Sequence, residues 1–292
     1  MTYREAIDSC SARLDAAIHD AGEARAEISM ALMWLKNWKK VDLAVHLADD
    51  ISDYMLGKLN GVTDRLIAGE PIQYIMGYAD FYGLRFTVRP GVLIPRPETA
   101  ELVDMIAGDS GNRQDLRVLD ICTGSGCIAI ALARNLPFAD VTAIDLSDEA
   151  LATARENAKD LHARVDFVKA DALRLEADSA SLYDIIVSNP PYIPEEEKAA
   201  MAPNVLLHEP AMALFVPDDD PLRFYTAISA YAAKALKPGG RLYYEINPRF
   251  ADKLVNEMKA AGWRNVQATR DSFGHYRFIS ATCAGADDNG IA

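Results

Sequence analysis

Long hydrophobic runs are missing from this sequence of 292 residues, although 50% of the residues are apolar. No run approaches the roughly 18 to 20 residues of a membrane span, which argues against a membrane protein. Residues 1–8 contain no basic segment followed by an apolar stretch, so no secretory signal is expected. We therefore predict a cytoplasmic protein with no membrane association.

Cysteine is also scarce, and its spacing is uninformative. The four cysteines, Cys10, Cys122, Cys127 and Cys283, form no CxxC pair. This spacing indicates neither a zinc site nor a disulfide framework. We expect free thiols and no bound metal.

Positive charge is in short supply. The net charge is −13 and the isoelectric point is about 4.8. Proteins that grip nucleic acid cluster lysine and arginine against phosphates. The nearest such run, residues 36–40, is typical of the solvated end of a helix. No stable binding of nucleic acid is expected, and an acidic surface favours a basic partner or a cationic cofactor.

The most informative feature present is the tetrapeptide Asn189, Pro190, Pro191 and Tyr192, which follows an apolar run at residues 183–188. That run is typical of a buried strand, and ligands bind at the carboxyl ends of strands in open α/β sheets. Neither proline offers an N–H group. The side-chain oxygen of Asn189, the backbone carbonyls and the Tyr192 ring suit a planar amino group, on either a carboxamide or a nucleobase. An ordinary turn is the alternative.

Apolar residues at helical spacing predict a small helical bundle over residues 1–70, and aromatic residues between glycines and prolines predict a β-hairpin linker over residues 71–97. The linker hairpin is centred on residues 81–88, with Gly83 in its bend. Residues 98–283 form a third region, and residues 284–292 are expected to be a disordered tail.

In the third region strands and helices alternate, which predicts a doubly wound, mostly parallel α/β sheet. The last two strands are joined through Phe273 and Gly274, too short a link for a helix, so they must be antiparallel. A Rossmann-like, seven-stranded sheet with an antiparallel last strand resembles the class I S-adenosylmethionine-dependent methyltransferase fold. The predicted strands are 117–121, 141–145, 165–170, 183–188, 241–246, 266–270 and 276–281, and the predicted helices are 126–135, 148–161, 224–236 and 250–261.

A glycine-rich loop follows the first of these strands. It comprises Cys122, Thr123, Gly124, Ser125 and Gly126 and has GxGxxA spacing. Nineteen residues after Gly126 comes a strand-ending aspartate, Asp145, suited to two ribose hydroxyls. Enzymes that use NAD and those that use S-adenosylmethionine share this arrangement, so the loop alone does not choose between them.

Two further features favour S-adenosylmethionine. Asp171 ends the third strand, where its carboxylate can accept from an adenine amino group, with Ala172 adding backbone contacts. A helix cap is the competing interpretation of Asp171. The Asn189 tetrapeptide offers nothing for hydride transfer but suits a methyl acceptor, and an acidic, aromatic-lined pocket suits a sulfonium.

Over nearly its whole length the chain resembles the bacterial HemK/PrmC family of protein-(glutamine-N5) methyltransferases. The linker match through Arg96, Pro97, Glu98 and Thr99 is the most specific, because the Asn189 tetrapeptide also occurs in DNA adenine and RNA guanine methyltransferases. The chain departs from the family at Ala100, at residues 215–221 and at Asn247, where glycine is usual. The matching segments are residues 71–77, 81–86, 90–99, 120–126, 189–194, 209–210, 213–214, 237–240 and 245–246.

The resemblance implies methyl transfer from S-adenosylmethionine, with S-adenosylhomocysteine as product, to the glutamine of the Gly-Gly-Gln motif in class I peptide chain release factors, which supports translation termination. It implies that Asn189 and the Pro190 carbonyl accept the amide hydrogens, while Tyr192 packs on the amide plane beside Pro191. Residues 122–126 would then hold the methionine part of the cofactor, Asp145 the ribose, and Asp171 with Ala172 the adenine, bordered by Asn189.

Two alternatives to this function stay open at the level of sequence. One is an N6-adenine or N2-guanine nucleic-acid methyltransferase, and the other is a binding scaffold without activity. A monomer is expected, with the helical domain docking the release factor. The sequence does not choose between release factors.

Overall fold

The computed structural model describes residues 1–178 and 182–284 and divides the chain into two compact units. The first unit comprises Met1–Tyr78 and Ala202–His208, and the second comprises Ala79–Met201 and the chain from Glu209 onward. Apart from Ala284, the predicted disordered tail lies outside the described residues. None of the described helices is both long enough and apolar enough to cross a membrane.

The first unit is helical, as its apolar spacing predicts. Its helices pack around a core that includes Ile7, Leu14, Ile28 and Leu59, all almost fully buried. The helical spacing predicted through Leu47 and Ile51 is interrupted, because both residues lie between two helices. The helices of this unit are α1 (Tyr3–Ile18), α2 (Ala21–Lys36), α3 (Lys40–His46), α4 (Asp53–Ile67), α5 (Ile72–Met76) and, later in the chain, α9 (Pro203–His208).

The second unit begins with a hairpin and continues as alternating strands and helices. The hairpin strands are β1 (Tyr78–Phe81) and β2 (Leu84–Thr87). The remaining elements are α6 (Thr99–Ser110), β3 (Arg117–Ile121), α7 (Cys127–Asn135), β4 (Asp140–Asp145), α8 (Asp148–Asp160), β5 (Asp166–Lys169), β6 (Tyr183–Ser188), β7 (Ile193–Pro194), α10 (Ala211–Leu214), β8 (Phe215–Val216), α11 (Arg223–Ala235), β9 (Leu236–Glu245), α12 (Ala251–Ala260), β10 (Arg264–Arg270) and β11 (Tyr276–Thr282), with 3-10 turns at Glu195–Ala200 and Pro248–Phe250.

Seven strands form the main sheet in the order β10, β11, β9, β6, β3, β4 and β5. The five strands from β9 to β5 are parallel to one another, whereas β11 is antiparallel to both β9 and β10. Successive residues of β3 enter different cores: Val118 packs with α6 and α7, and Leu119 with α11 and α12. The predicted class I methyltransferase fold is confirmed.

Several predicted boundaries are wrong by a few residues. The third strand of the predicted series ends at Lys169, so Asp171 lies in the following turn. Helix α7 begins at Cys127, because Gly126 has a positive φ of 81° and caps the helix from outside it. Strand β9 starts at Leu236, where the sequence predicts a helix end, and it stops before Ile246. Short elements were not predicted from the apolar pattern. One of them is α5, which lies in the predicted linker.

The predicted hairpin is present, with a two-residue bend. Tyr82 and Gly83 both have positive φ, at 50° and 70°, as the tight turn between twisted strands requires. Phe81 and Phe86 are buried in the core of the second unit, with their rings 5.9 Å apart. The side chain of Asn157 on α8 accepts from the Thr87 N–H at 2.7 Å and donates to the Thr87 carbonyl at 3.1 Å. The hairpin is therefore fixed to α8.

Candidate active site

A cavity of about 190 Å³ opens where the parallel strands end. Strands β3, β4 and β6 end at Ile121, Asp145 and Ser188, and ligands bind at this edge of open α/β sheets. All the residues discussed below belong to the second unit. The predicted site residues that line the cavity are Cys122, Gly124, Asp145, Asp171, Ala172, Asn189 and Pro191.

A smaller cavity of about 30 Å³ shares part of that lining. Cys122, Gly124 and Asn189 face both cavities, whereas Thr123 and Ser125 line only the smaller one. The smaller cavity is closed on another side by Arg96 and Thr99, from the segment between the hairpin and α6. The linker motif and the glycine loop therefore meet at Asn189.

The glycine loop turns through three residues with positive φ: Cys122 at 63°, Gly124 at 57° and Gly126 at 81°. The two glycines have different surroundings. A Cβ on Gly126 would lie 3.1 Å from both Ala154 of α8 and Ile130 of α7, whereas a Cβ on Gly124 would meet no atom within 4 Å. Gly126 thus allows α7 and α8 to pack closely, and Gly124 leaves open space at the cavity wall.

The buried carboxylate of Asp120 holds this loop from behind. Its Oδ2 accepts from the Thr123 hydroxyl at 2.6 Å and from the Ala129 N–H at 3.2 Å. Within the described residues Oδ1 has no hydrogen-bond partner. Burial raises the pKa of Asp120 to about 7, and the nearby charge of Asp145 acts in the same direction.

Asp145 lies at the end of β4, where the sequence predicts it. Its Oδ1 accepts from the Ser147 N–H and its Oδ2 from the Gly124 N–H, each at 2.9 Å. Burial raises the pKa of Asp145, although these two donors favour the charged form. Each carboxylate oxygen keeps a further lone pair. Asp145 can therefore join the loop to the cavity and still accept from two hydroxyl groups.

Asp171 caps a turn, as the competing interpretation predicts, and also lies at the cavity, where its predicted contact with adenine stays a prediction. Its Oδ1 accepts from the Leu173 N–H at 2.9 Å, which is the behaviour of a turn cap. Its Oδ2 lies 3.5 Å from Arg174 Nε, whose side chain is 85% exposed, so that ion pair is weak. Asp171 and Ala172 nevertheless line the cavity. Capping and ligand contact are thus compatible at this residue.

The tetrapeptide leaves β6 at the same edge of the sheet. Ser188, the last residue of β6, donates from its hydroxyl to the Ile121 carbonyl at 2.7 Å. Asn189 and Pro191 line the main cavity, whereas Pro190 and Tyr192 are not among its described lining residues. The Tyr192 phenol donates to Glu245 Oε1 at 3.2 Å. Glu245 thus contacts the tetrapeptide, although no role was predicted for it from the sequence.

Asn157 is a second residue that the sequence reading missed. Besides holding the hairpin, its amide donates to the Ser125 carbonyl at 2.9 Å, so one buried side chain fixes both the hairpin and the glycine loop. A polar residue on the buried face of α8 was the available signal, because such groups need partners.

The charges around the main cavity suit a cationic ligand. Its described lining contains the carboxylates of Asp145 and Asp171 but neither lysine nor arginine. Open space at Gly124, a lining of mostly apolar residues and the two carboxylates fit a sulfonium nucleoside such as S-adenosylmethionine. In the described part of the chain, no group of histidine, cysteine, aspartate and glutamate has the arrangement of a metal site.

Comparison with known proteins identifies the family. Residues 5–77 match the model of the PrmC N-terminal domain, and residues 118–206 match a methyltransferase domain. The release factor glutamine methyltransferase of Bacteroides thetaiotaomicron is 50% identical over 224 residues, or 77% of this chain and 80% of that protein. The protein of the same name from Flavobacterium psychrophilum is 41% identical over 267 residues, or 90% of this chain and 93% of that protein. The chain belongs to the release factor glutamine methyltransferase family.

Membership of this family confirms the resemblance found in the sequence and makes the protein an S-adenosylmethionine-dependent methyltransferase. Among solved structures, a 16S rRNA N2 methyltransferase of T. thermophilus, in complex with AdoMet and guanosine, has a TM-score of 0.50 at 21% identity. The match covers 70% of this chain and 49% of the T. thermophilus chain. At this identity the likeness shows the fold alone.

Proposed function

We propose that this chain methylates the side-chain amide nitrogen of the glutamine in the Gly-Gly-Gln motif of class I peptide chain release factors. The observation that carries the proposal is the position of Asn189, which lines both the acidic cavity and the smaller cavity beside it. A methyl donor bound in the acidic cavity and an amide bound in the smaller cavity would meet at Asn189. The family relationship supports the choice of a glutamine over a nucleobase.

In this proposal S-adenosylmethionine supplies an activated methyl group on a sulfonium and leaves as S-adenosylhomocysteine, with no metal involved. Residues 122–126 hold its methionine part, and Asp145 accepts from the ribose hydroxyls. Asp171 and Ala172 border the adenine, and Asn189 closes the cavity towards the acceptor. The acidic lining of the cavity supports these roles.

Asn189 and the Pro190 carbonyl accept the two hydrogens of the target amide in the proposed mechanism. An amide nitrogen is a poor nucleophile, because its lone pair is delocalised into the carbonyl. Acceptors that strengthen their hydrogen bonds as positive charge develops on nitrogen would stabilise the transition state. Holding the nitrogen in line with the methyl group would lower the barrier further. The methylated nitrogen is acidic and loses its proton afterwards, so no general base is needed before transfer.

The helical unit is the proposed docking module for the release factor. The match of residues 5–77 to the PrmC N-terminal domain supports this role. Helix α3 also exposes two valines one turn apart, Val41 at 63% and Val45 at 68%, which are candidates for an apolar protein contact. The proposed enzyme acts as a monomer.

A transfer assay with methyl-labelled cofactor tests the substrate. Purified release factor, the same factor with its target glutamine changed to glutamate, and ribosomal RNA and DNA would be offered side by side. We expect label only on the unaltered release factor. Label on nucleic acid would support the base methyltransferase alternative, and calorimetry that detects no cofactor binding would support an inactive scaffold.

A further inference from the structure

The buried carboxylate of Glu245 lies directly behind the Asn189 tetrapeptide. Strands β6 and β9 pair in parallel with Ser188 opposite Tyr244, so Asn189, which follows β6, lies beside Glu245, the last residue of β9. Glu245 is 2% exposed. A carboxylate so deeply buried requires partners, because burial without them is costly.

The partners of Glu245 belong to two motifs that the proposed mechanism leaves unconnected. Oε1 accepts from the Tyr192 phenol at 3.2 Å, and Oε2 accepts from the Thr99 hydroxyl at 2.6 Å. Thr99 ends the linker motif and lines the smaller cavity beside Asn189. The side chain of Glu245 therefore bridges the linker and the tetrapeptide from beneath the place where the target amide would enter.

The Tyr192 backbone is held independently of its ring. Its N–H donates to the Leu214 carbonyl at 3.3 Å, and its carbonyl accepts from the Asn247 amide at 3.4 Å. That amide also lies 3.2 Å from a Glu197 carboxylate oxygen, and Asn247 Oδ1 accepts from the Arg249 N–H at 3.0 Å. Asn247, one of the departures from the family pattern, thus holds the end of the tetrapeptide, while Glu245 fixes the ring.

We propose that Glu245 is a positioning residue, which fixes the Tyr192 ring through the phenol and thereby holds Asn189 in the geometry needed for transfer. The proposal rests on the proposed function of the same site. Glu245 does not contact the reacting atoms. Its contribution is to limit the movement of a loop whose two acceptors must meet the amide at the same time.

The test compares Glu245→Gln, Tyr192→Phe and the double variant in the full-length enzyme, with release factor as substrate. Asp184→Asn is the matched control, because Asp184 is also a buried carboxylate of this sheet and lies at the opposite end of β6. We expect each single variant to lower kcat about tenfold and to leave the KM for S-adenosylmethionine within about twofold. The double variant should be no slower than the slower single variant.

Three outcomes would overturn the inference: wild-type kcat in Glu245→Gln, effects of the two substitutions that multiply, or an equal loss of kcat in Asp184→Asn. If Glu245→Gln does not fold, Tyr192→Phe decides alone, since it removes one oxygen and keeps the ring. Wild-type kcat in that variant would overturn the inference. If the wild-type enzyme does not methylate release factor, both the proposed function and this inference are wrong. If the wild type is active and the variants are equally active, only the inference is wrong.

Discussion

The two edges of the sheet formed by the parallel strands differ in the surroundings and the pKa values of their carboxylates. At the amino ends of the strands, Asp184 accepts from Arg113 at 2.8 Å, from Lys237 at 2.6 Å and from the Arg117 N–H at 2.9 Å. The pKa of Asp184 is lowered, because these donors and cations outweigh the effect of its burial. This edge holds a carboxylate among cations, as a structural ion-pair network does.

At the carboxyl ends, the carboxylates of Asp120, Asp145 and Glu245 have raised pKa values, and burial is the largest cause in each case. Their hydrogen bonds come from backbone N–H groups and hydroxyl groups, and one oxygen of Asp120 has no described partner. Carboxylates with raised pKa values at a cavity are typical of functional sites, and Asp145 lines the main cavity. The comparison shows that the carboxylate at the amino edge is stabilised in its charged form by cations, whereas burial disfavours the charged form of the three carboxylates at the edge where the cavity opens.

The largest test of this division is Asn189→Ala at the carboxyl edge. It removes one proposed acceptor without adding bulk. We expect kcat for release factor methylation to fall about 100- to 1,000-fold, as for loss of a transition-state hydrogen bond. The dissociation constant for S-adenosylmethionine, measured by calorimetry, should change little. Methyl transfer that survives this substitution would show that Asn189 has a different role.

Asp184→Asn tests the other edge and should have a smaller effect, of a different kind. It leaves the Arg113 and Lys237 charges without their carboxylate, while the amide oxygen can still accept from Arg117. We expect the free energy of unfolding to fall by about 1–3 kcal/mol, limited because the cations are partly solvated. Denaturant titration would measure the loss, and kcat should equal that of the wild type. A slower enzyme of unchanged stability would contradict the division of roles.

The last test concerns the pH dependence of stability, where each step of one pH unit has a small effect. Because the pKa of Asp120 is raised to about 7 from 3.8, the folded protein binds its proton more tightly than the unfolded chain does. Its contribution to stability is therefore greatest at low pH and is lost as pH rises between about 4 and about 7. Asp120→Asn should remove that dependence, while its amide oxygen can still accept from Thr123.

The measurement is the difference in unfolding free energy between wild type and Asp120→Asn at several pH values. We expect the unfolding free energy of the wild type, relative to that of the variant, to fall by about 1 kcal/mol for each pH unit across that window. A flat difference would mean that Asp120 ionises normally. A difference of the opposite sign would place Asp120 in the same class as Asp184 and remove the contrast between the two edges.

Much of this site could be predicted, because its signals are local in sequence. The glycine loop, Asp145 and the Asn189 tetrapeptide each follow an apolar strand, and parallel strands bring their carboxyl ends to one edge. The antiparallel last pair was predictable for a similar reason, because its link is too short for a helix.

The rest depends on contacts between distant parts of the chain. Thr99 and Glu245 are 146 residues apart, and their hydrogen bond exists only because β9 pairs with β6 and α6 begins beside them. Asn157 contacts Thr87, 70 residues earlier, and no periodicity marks such a pair. Predicted helix boundaries were wrong where the backbone conformation decides the end of the helix. One example is Gly126, which the sequence places inside α7 and which caps that helix from outside.

The contrast between Gly124 and Gly126 bears on how genetic variation in this chain would be read. A side chain at Gly126 would be strained by the positive φ and would press on Ala154 and Ile130, so substitutions there should lower stability and with it the amount of protein in the cell. A side chain at Gly124 carries the same kind of backbone strain but meets no neighbouring atom, so substitutions there should cost less stability and act mainly on the proposed ligand site. A measurement of protein level beside one of activity would separate a folding defect at Gly126 from a binding defect at Gly124.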